Sequence, residues 1–295
     1  MPITNATVIP IIIVARLVQQ YRRRIVFADR VNRTWQSQLR NGGNQVRLNM
    51  PVSGNVRDYD PSAATPVTYR DADVQNLGTL ELQQAKYFAT KINDIQAVQS
   101  SSPLLDSSVE QDGIALAEQV DDDVRSVTVA GATTTDALTL DHDANTIKAF
   151  AFPKLHRIMD VALMPREGRW VIVGPYTAEA LMAATLEAGV INASVLENLQ
   201  NGLIGTFAGL RVYVDAAKNS TFPASAAAED ANKATEEWVF GNDSAVAFID
   251  QVREVERLRL QSDFADAVRG LYTYGTKVIY PARIHKATAT IENIP

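Results

Sequence analysis

The chain has 295 residues, 46% hydrophobic and 21% charged, with no cysteine and a formal net charge of −6. That is an ordinary globular composition for one large or two modest domains, and it excludes disulfides and thiolate metal sites. The longest apolar run, Val8 to Ala15, is broken by Pro10 and ends at Arg16, too short for a bilayer and without the flanks of a secretory signal.

Residues 1–70 contain ten arginines, no lysine and three acids, a net of +7, which leaves 18 basic and 31 acidic residues, a net of −13, in 71–295. A basic end on an acidic body predicts an arm that docks on something acidic, either nucleic acid or another copy of the body. Within it, Ile11, Val14, Leu17, Val18, Tyr21 and Ile25 keep helical spacing over residues 5–27, and Arg22, Arg23 and Arg24 form a basic cluster. Asn41-Gly42-Gly43-Asn44 predicts a turn. From Gln45 to Leu82 the pattern is extended: Val46, Leu48 and Met50 alternate with polar residues, and prolines and glycines interrupt the rest. Aliphatic residues are sparse there, so the stretch reads as a reaching loop without a core of its own, dependent on another surface.

Gln83 to Val98 resumes denser structure with Tyr87, Phe88, Ile92 and Ile95. Ser102-Pro103 is a helix start, a serine cap followed by proline at the first position. The helix it opens, 103–127, carries one apolar face through Leu105, Val109, Gly113, Leu116, Val120, Val124 and Val127. Its other face carries Glu110, Asp112, Glu118, Asp121, Asp122 and Asp123 and reads as acidic and solvated. Residues 131–143 read as a polar connection, and a helical segment to Met164 should kink at Pro153. Arg169 to Val173 is an apolar strand stopped by Gly174 and followed by a helix through Leu181. Leu210 to Val214 is another strand, and 216–236 is the least structured stretch. After Gly241 the pattern is β, over 245–252, 255–260, 270–280 and 284–291.

No phosphate loop, nucleophile elbow or zinc-binding helix motif is present. His142, His156 and His285 are far apart in sequence and read as surface or core histidines, since a catalytic histidine needs an orienting partner. Asp121-Asp122-Asp123 does not read as a metal site, because adjacent helical side chains point about 100° apart and cannot converge. Neither catalytic, cofactor-binding nor metal residues are assigned, and no cofactor is expected.

The ordered segments resemble the major capsid protein family of tailed bacteriophages, with the Hong Kong 97 shell fold. The resemblance rests on Ile9-Pro10 with Ala15-Arg16-Leu17, Ile25-Val26-Phe27 and Val31-Asn32-Arg33. It continues through 43–49, Gln84 to Ala89 with Ile92 and Asp94, Pro165 to Val171, 205–214, 244–248 and 270–281. It is nearest to the coat-protein branch of the short-tailed Salmonella phages, and residues 97–150 and 216–236 match poorly. The resemblance implies an α+β fold with an N-terminal arm (1–40) and an extended β-hairpin loop (41–82). It further implies a peripheral domain (83–143 and 241–295) built on a spine helix (103–127), and an axial domain (144–240). The short axial region leaves no room for the inserted domain of the Salmonella coat, and the chain begins at the arm without a fused scaffolding segment.

The function so implied is a self-assembling subunit of an icosahedral shell enclosing double-stranded DNA, in the virion and assembled in the host cytoplasm. Its partners would be its own copies in pentamers and hexamers, a separate scaffolding protein, a portal protein and DNA bound without sequence specificity, with no membrane. Arg22, Arg23, Arg24, Arg47, Arg57 and Arg70 are the expected docking cations, and Glu110, Glu118, Asp121 and Asp122 their acidic partners on the next subunit. Two alternatives keep the fold and change the cargo, an encapsulin-like compartment or a gene-transfer-agent shell. A third is an α/β hydrolase or binding module, against which the missing acid–base constellation counts.

Overall fold

The computed structural model describes residues 26–39, 43–51, 56, 71, 74–95, 104–135, 137–187, 203–207, 209–215, 220–221 and 233–294. The arm helix up to Ile25, the loop tip, the serine cap before the long helix and most of 216–236 therefore lie outside the described residues. In chain order the elements are α1 (Gln36–Leu39), β1 (Gln45–Pro51), β2 (Val74–Glu81), β3 (Gln84–Asn93) and α2 (Leu104–Gly131). There follow β4 (Thr133–Thr134), β5 (Leu138–Asp141), α3 (Ala144–Thr146), a π-helical turn (Ile147–Ala151), α4 (Phe152–Val161), β6 (Arg169–Val173) and α5 (Pro175–Glu187). The chain closes with β7 (Leu203–Phe207), β8 (Leu210–Val214), β9 (Ser220–Thr221), β10 (Ala234–Asn242), β11 (Val246–Arg259), β12 (Ala265–Val278) and β13 (Ile284–Glu292).

An eight-stranded mixed sheet is the centre of the molecule, in the order β4-β13-β10-β6-β8-β7, with β5 also on β13 and β9 also on β10. Strand β6 is buried at all five positions, as a continuous apolar run in a doubly covered sheet should be. Its alternation divides the core. Val171 and Val173 face one cluster with Leu155, Met159, Leu181, Trp238 and Phe240, covered by α4 and α5. Trp170 and Ile172 face a second cluster with Val120 and Val124 of α2, Val26, Phe27, Phe248 and Tyr274. The expected break at Pro153 is a π turn immediately before α4, with the proline in the first turn of that helix, where a missing N–H is tolerated.

The second sheet is β11-β12-β3, two 14-residue strands and a shorter one. It packs on the first half of α2 through Phe88, Ile92, Val268 and Val109. The segments 245–252 and 255–260 are one strand carrying a bulge between Val252 and Val255. Tyr87, expected in dense structure, is exposed because the odd residues of β3 face away from α2, and Ile95, two residues past the strand, is exposed as well.

Other expectations are corrected. The connection 131–143 contributes β4 and β5, which pair in parallel with β13, because Leu138 and Leu140 are apolar enough to join the core. The β pattern begins at Ala234, well before Gly241, since the glutamates of β10 had masked its alternation. Strand β7 was not anticipated. The C-terminal strand β13 runs beside β10 for eight residue pairs and so lies in the central sheet with β6 and β8.

The reaching loop also has a core at its root. Strands β1 and β2 form an antiparallel ribbon, Gln45 opposite Glu81 and Pro51 opposite Val74. Val46, Leu48 and Leu80 are buried with Leu39, Ala247, Ile249 and Ile279. Lys277 Nζ donates to the Thr79 carbonyl at 3.1 Å. The ribbon crosses β12 so closely that a Cβ on Gly275 would stand 1.9 Å from the Glu81 carbonyl oxygen. Backbone cannot yield as a side-chain tip can. Gly275→Ala is therefore expected to lift the ribbon root and destabilise the fold by about 1–3 kcal/mol, read as a lower urea midpoint. An unchanged midpoint would refute the close crossing.

Candidate assembly interface

Of the residues named for docking, the described ones are Arg47 on β1 and Glu110, Glu118, Asp121 and Asp122 on α2. Arg22, Arg23, Arg24, Arg57 and Arg70 lie outside the described residues. Arg47 stands exposed on β1 between buried Val46 and Leu48, as period-two alternation requires. On α2, Glu110 is exposed and Glu118 and Asp122 are half-buried. Asp121 is not on a solvated face at all. It is fully buried, and its Oδ1 accepts the backbone N–H of Ala28 at 2.8 Å and of Val26 at 3.2 Å.

That carboxylate ties the root of the arm to the middle of α2. Val26, Phe27 and Ala28 are buried beside Val120 and Val124 and plug the gap between helix and sheet. Downstream, Asn32 bridges to Ala247 by two backbone bonds, Asn32 N–H to the Val246 carbonyl and Phe248 N–H to the Asn32 carbonyl, at 2.8 and 3.0 Å. Arg33 lies over Phe248 and 3.9 Å from Asp250, which also accepts from Gln36 and from the Tyr272 hydroxyl. The polypeptide is thus anchored from residue 26 onward.

The neighbouring acids separate as helical geometry demands. Asp123 turns toward the second sheet and accepts from the Tyr274 hydroxyl and from Gln119, with the Lys86 ammonium 3.1 Å away. Burial works to raise its pKa, but those three donors outweigh it and hold the carboxyl below the usual range. Burial and the Asp123 carboxylate push the Tyr274 phenol up. The acid run of α2 was legible as incapable of holding one ion. That two of its members are structural was not, because their partners lie about 95 and 150 residues away in sequence.

At the tip of the second sheet, Arg259 pairs with Asp94 and Asp266, and Lys91 with Asp263. The Arg259 hydrogen bonds depress the Asp94 pKa. Phe264 stands exposed in the same turn.

The strand–glycine–helix turn at Val173-Gly174-Pro175 is where an α/β enzyme would hold an anionic ligand against helix N–H groups. Here that position is filled from within. Glu236 of β10, fully buried, accepts from Tyr176 N–H at 2.8 Å, Thr177 Oγ1 at 2.6 Å and Trp238 Nε1 at 3.0 Å. Gly174 leaves it room, since a Cβ there would stand 2.4 Å from the Glu236 carboxyl carbon. The histidines do not converge either: His156 accompanies Arg169, His142 lies 3.9 Å from Glu179, and His285 stacks on Phe240, with burial lowering its pKa. Among the described residues no group of three or more His, Asp or Glu could hold a metal, and no helix is long and apolar enough to cross a membrane.

Comparison with known proteins follows this geometry. The family model described as phage capsid protein matches residues 78–287. A structure from Mycobacterium phage Che8 is similar at 24% identity and a TM-score of 0.67, covering 93% of both chains. The capsid of cyanophage P-SCSP1u is similar at 15% identity and a TM-score of 0.65, over 94% of this chain and 91% of that one. The capsid of Ralstonia phage GP4 is similar at 10% identity and a TM-score of 0.62, over 96% and 95%. A comparison with curated proteins finds no match. The α+β fold is therefore that of phage capsid proteins. One consequence of the arm root is testable. Asp121→Ala strips two buried N–H groups of their acceptor and should cost about 2–6 kcal/mol, with new protease cleavage near Val26. Wild-type stability and cleavage would show that the tether is unimportant.

Proposed function

This chain belongs to the phage capsid protein family, and from that membership we propose that it closes with its own copies into an icosahedral shell around double-stranded DNA. It is a structural subunit, the major capsid protein of a tailed phage, and not an enzyme. The observation that carries the shell reading is the ribbon β1–β2, anchored at its root by Leu48 and Leu80 and continuing into residues 52–73. A segment of 22 residues, at no more than ~3.3 Å each out and back, has enough chain to span at most ~36 Å, the scale of a neighbouring subunit.

In this reading the division is Hong Kong 97-like, nearest to the Salmonella short-tailed branch. Residues 1–40 are the arm, 41–82 the extended loop, 83–143 and 241–295 the peripheral domain with its spine helix, and 144–240 the axial domain. Pentamers and hexamers form in the host cytoplasm with a separate scaffolding protein and a portal, and the virion capsid is the final location. The first lysine, Lys86, follows the loop, so the loop brings no amine for a covalent staple and the shell is held by non-covalent contacts. Negative-stain microscopy of the full chain, alone and with the neighbouring head-assembly genes, should show shells or rings that run as single subunits on a denaturing gel. Dispersed subunits under both conditions would overturn the reading.

The charge division supports docking between subunits. The basic arm and loop (Arg22, Arg23, Arg24, Arg47, Arg57, Arg70) meet acidic surface on the next copy, with Glu110, Glu118 and Asp122 of α2 as the favoured partners. Asp121 leaves that set because its own arm root engages it. Each exposed pair contributes only ~0–1 kcal/mol, and the repetition over every subunit supplies the sum. Changing Arg22, Arg23 and Arg24 together to Glu should leave circular dichroism unchanged and abolish assembly, with partial rescue by Lys at Glu110 and Glu118. Normal empty shells that fail only at DNA filling would assign the arginines to the genome instead.

A further inference from the structure

Two non-glycine residues among those described sit at positive φ, Asn293 at 58° and Leu163 at 52°. Asparagine tolerates that conformation; a leucine is crowded in it. Leu163 closes α4. Its N–H bonds to the Asp160 carbonyl and the Met164 N–H to the Met159 carbonyl, both at 3.0 Å. That pair of bonds ends a helix through a left-handed residue, usually glycine. The leucine gains no burial in return, being 87% exposed, with Val161 beside it at 78%.

The turn is nevertheless held rigidly. Met164 is buried, and Arg169, its side chain 2% exposed, donates to the Met164 carbonyl at 2.7 Å and the Pro165 carbonyl at 3.0 Å. The same guanidinium reaches Asp160 at 2.7 Å. The turn itself serves the subunit by ending α4 and burying Met164, but glycine would serve there without strain, so the exposed leucine side chain held on it points to a use at the surface. A groove adjoins the turn, between Pro153, Arg157 and Val161 on one line of α4 and Arg166 and Gly209 across from them. Among the described residues that line it, Arg157, Arg166 and Arg169 stand with Asp160 as the one acid.

We infer that Leu163 and Val161 are a contact knob for a second copy of this chain, seating in an apolar patch rimmed by acidic residues. This rests on the shell reading above. The occupant follows from charge: the groove is cationic, and residues 71–295 carry a net −13, so the chain itself supplies the complementary surface. A closed ring is built from unlike patches meeting head to tail, which places the knob against a different part of its neighbour. Apolar anchors flanked by arginine are the composition of interface centres.

The test exploits the opposite signs expected from one substitution. Leu163→Gly relieves the strained φ and removes a side chain that makes little contact in the lone subunit. It should raise the subunit Tm by about 2 °C and raise the subunit concentration needed for particles at least ~tenfold. Leu163→Met, still apolar, should assemble like wild type. Arg157→Glu with Arg166→Glu should weaken assembly without lowering Tm. If Leu163→Gly lowers the Tm, the leucine packs within its own subunit and the inference fails. It fails equally if Leu163→Gly assembles at the wild-type concentration. Wild-type particles are the reference in every case, so their absence under all conditions would instead strike the shell reading.

Discussion

A sheet with two apolar faces has to be covered twice, and in this chain the second cover comes from three distant parts of the sequence. Trp170 and Ile172 of β6 and Val239 of β10 are closed off by Val120 and Val124 of α2, by Phe248 and Tyr274, and by the plug Val26-Phe27-Ala28. None of the three would suffice alone. The plug brings two backbone donors into an apolar space, where leaving them unpaired would cost about 1–3 kcal/mol each. Asp121 meets both with one oxygen. A buried carboxylate is tolerable where N–H donors replace its water. The departure point of the arm, the seat of α2 and the second core are thus one arrangement.

How much of this was legible depended on whether the signal was local. The apolar run 169–173, the stop at Gly174 and the helix after it lie within one stretch, and the structure has them where the pattern put them. The apolar stripe of α2 also held, with Val109, Val120 and Val124 on packed faces. Misreadings came where a polar residue is buried by a partner far along the chain. Glu236 made β10 look like a continuation of a polar stretch, whereas it caps the N-terminus of α5. Asp121 looked solvated because charge alone cannot reveal a backbone donor from residue 28. The hairpin root looked coreless because Leu48 and Leu80 are sparse within their own segment and complete a cluster with Ala247, Ile249 and Ile279. The docking arginines form the part of the candidate site that sequence proposed and the fold leaves open, since five of the six lie outside the described residues.

The acidic excess of the body is also less free than its count suggests. Asp121, Asp123, Asp160, Asp215, Glu236 and Asp250 each take part in internal hydrogen bonds or ion pairs. The acids on α2 are correspondingly unequal, and among the described ones Glu110 is the exposed member. Intersubunit electrostatics built on such exposed groups are weak and screened by salt. A shell of many copies is compatible with that, because weak contacts can break and re-form while misplaced subunits correct themselves.

The same reasoning explains why so much of the chain is left unsatisfied within one subunit. A compact protein of this composition could cover Tyr87, Val161, Leu163 and Phe264, yet all four stand exposed. Apolar side chains held out on turns and sheet faces store association free energy of about 25 cal/mol per Å² buried, part of which offsets the lost freedom of the docking subunit. Rigid presentation lowers that loss. Arg169 fixes the turn under Leu163 and the Leu48–Leu80 root fixes the base of the ribbon, which is the rigidity that the proposed contacts would draw on. The subunit is therefore ordered where it must hold a contact residue in place. In the proposed shell those contacts are completed when copies meet, so that the assembled particle, and not the monomer, is where the fold's apolar and charged surfaces are matched.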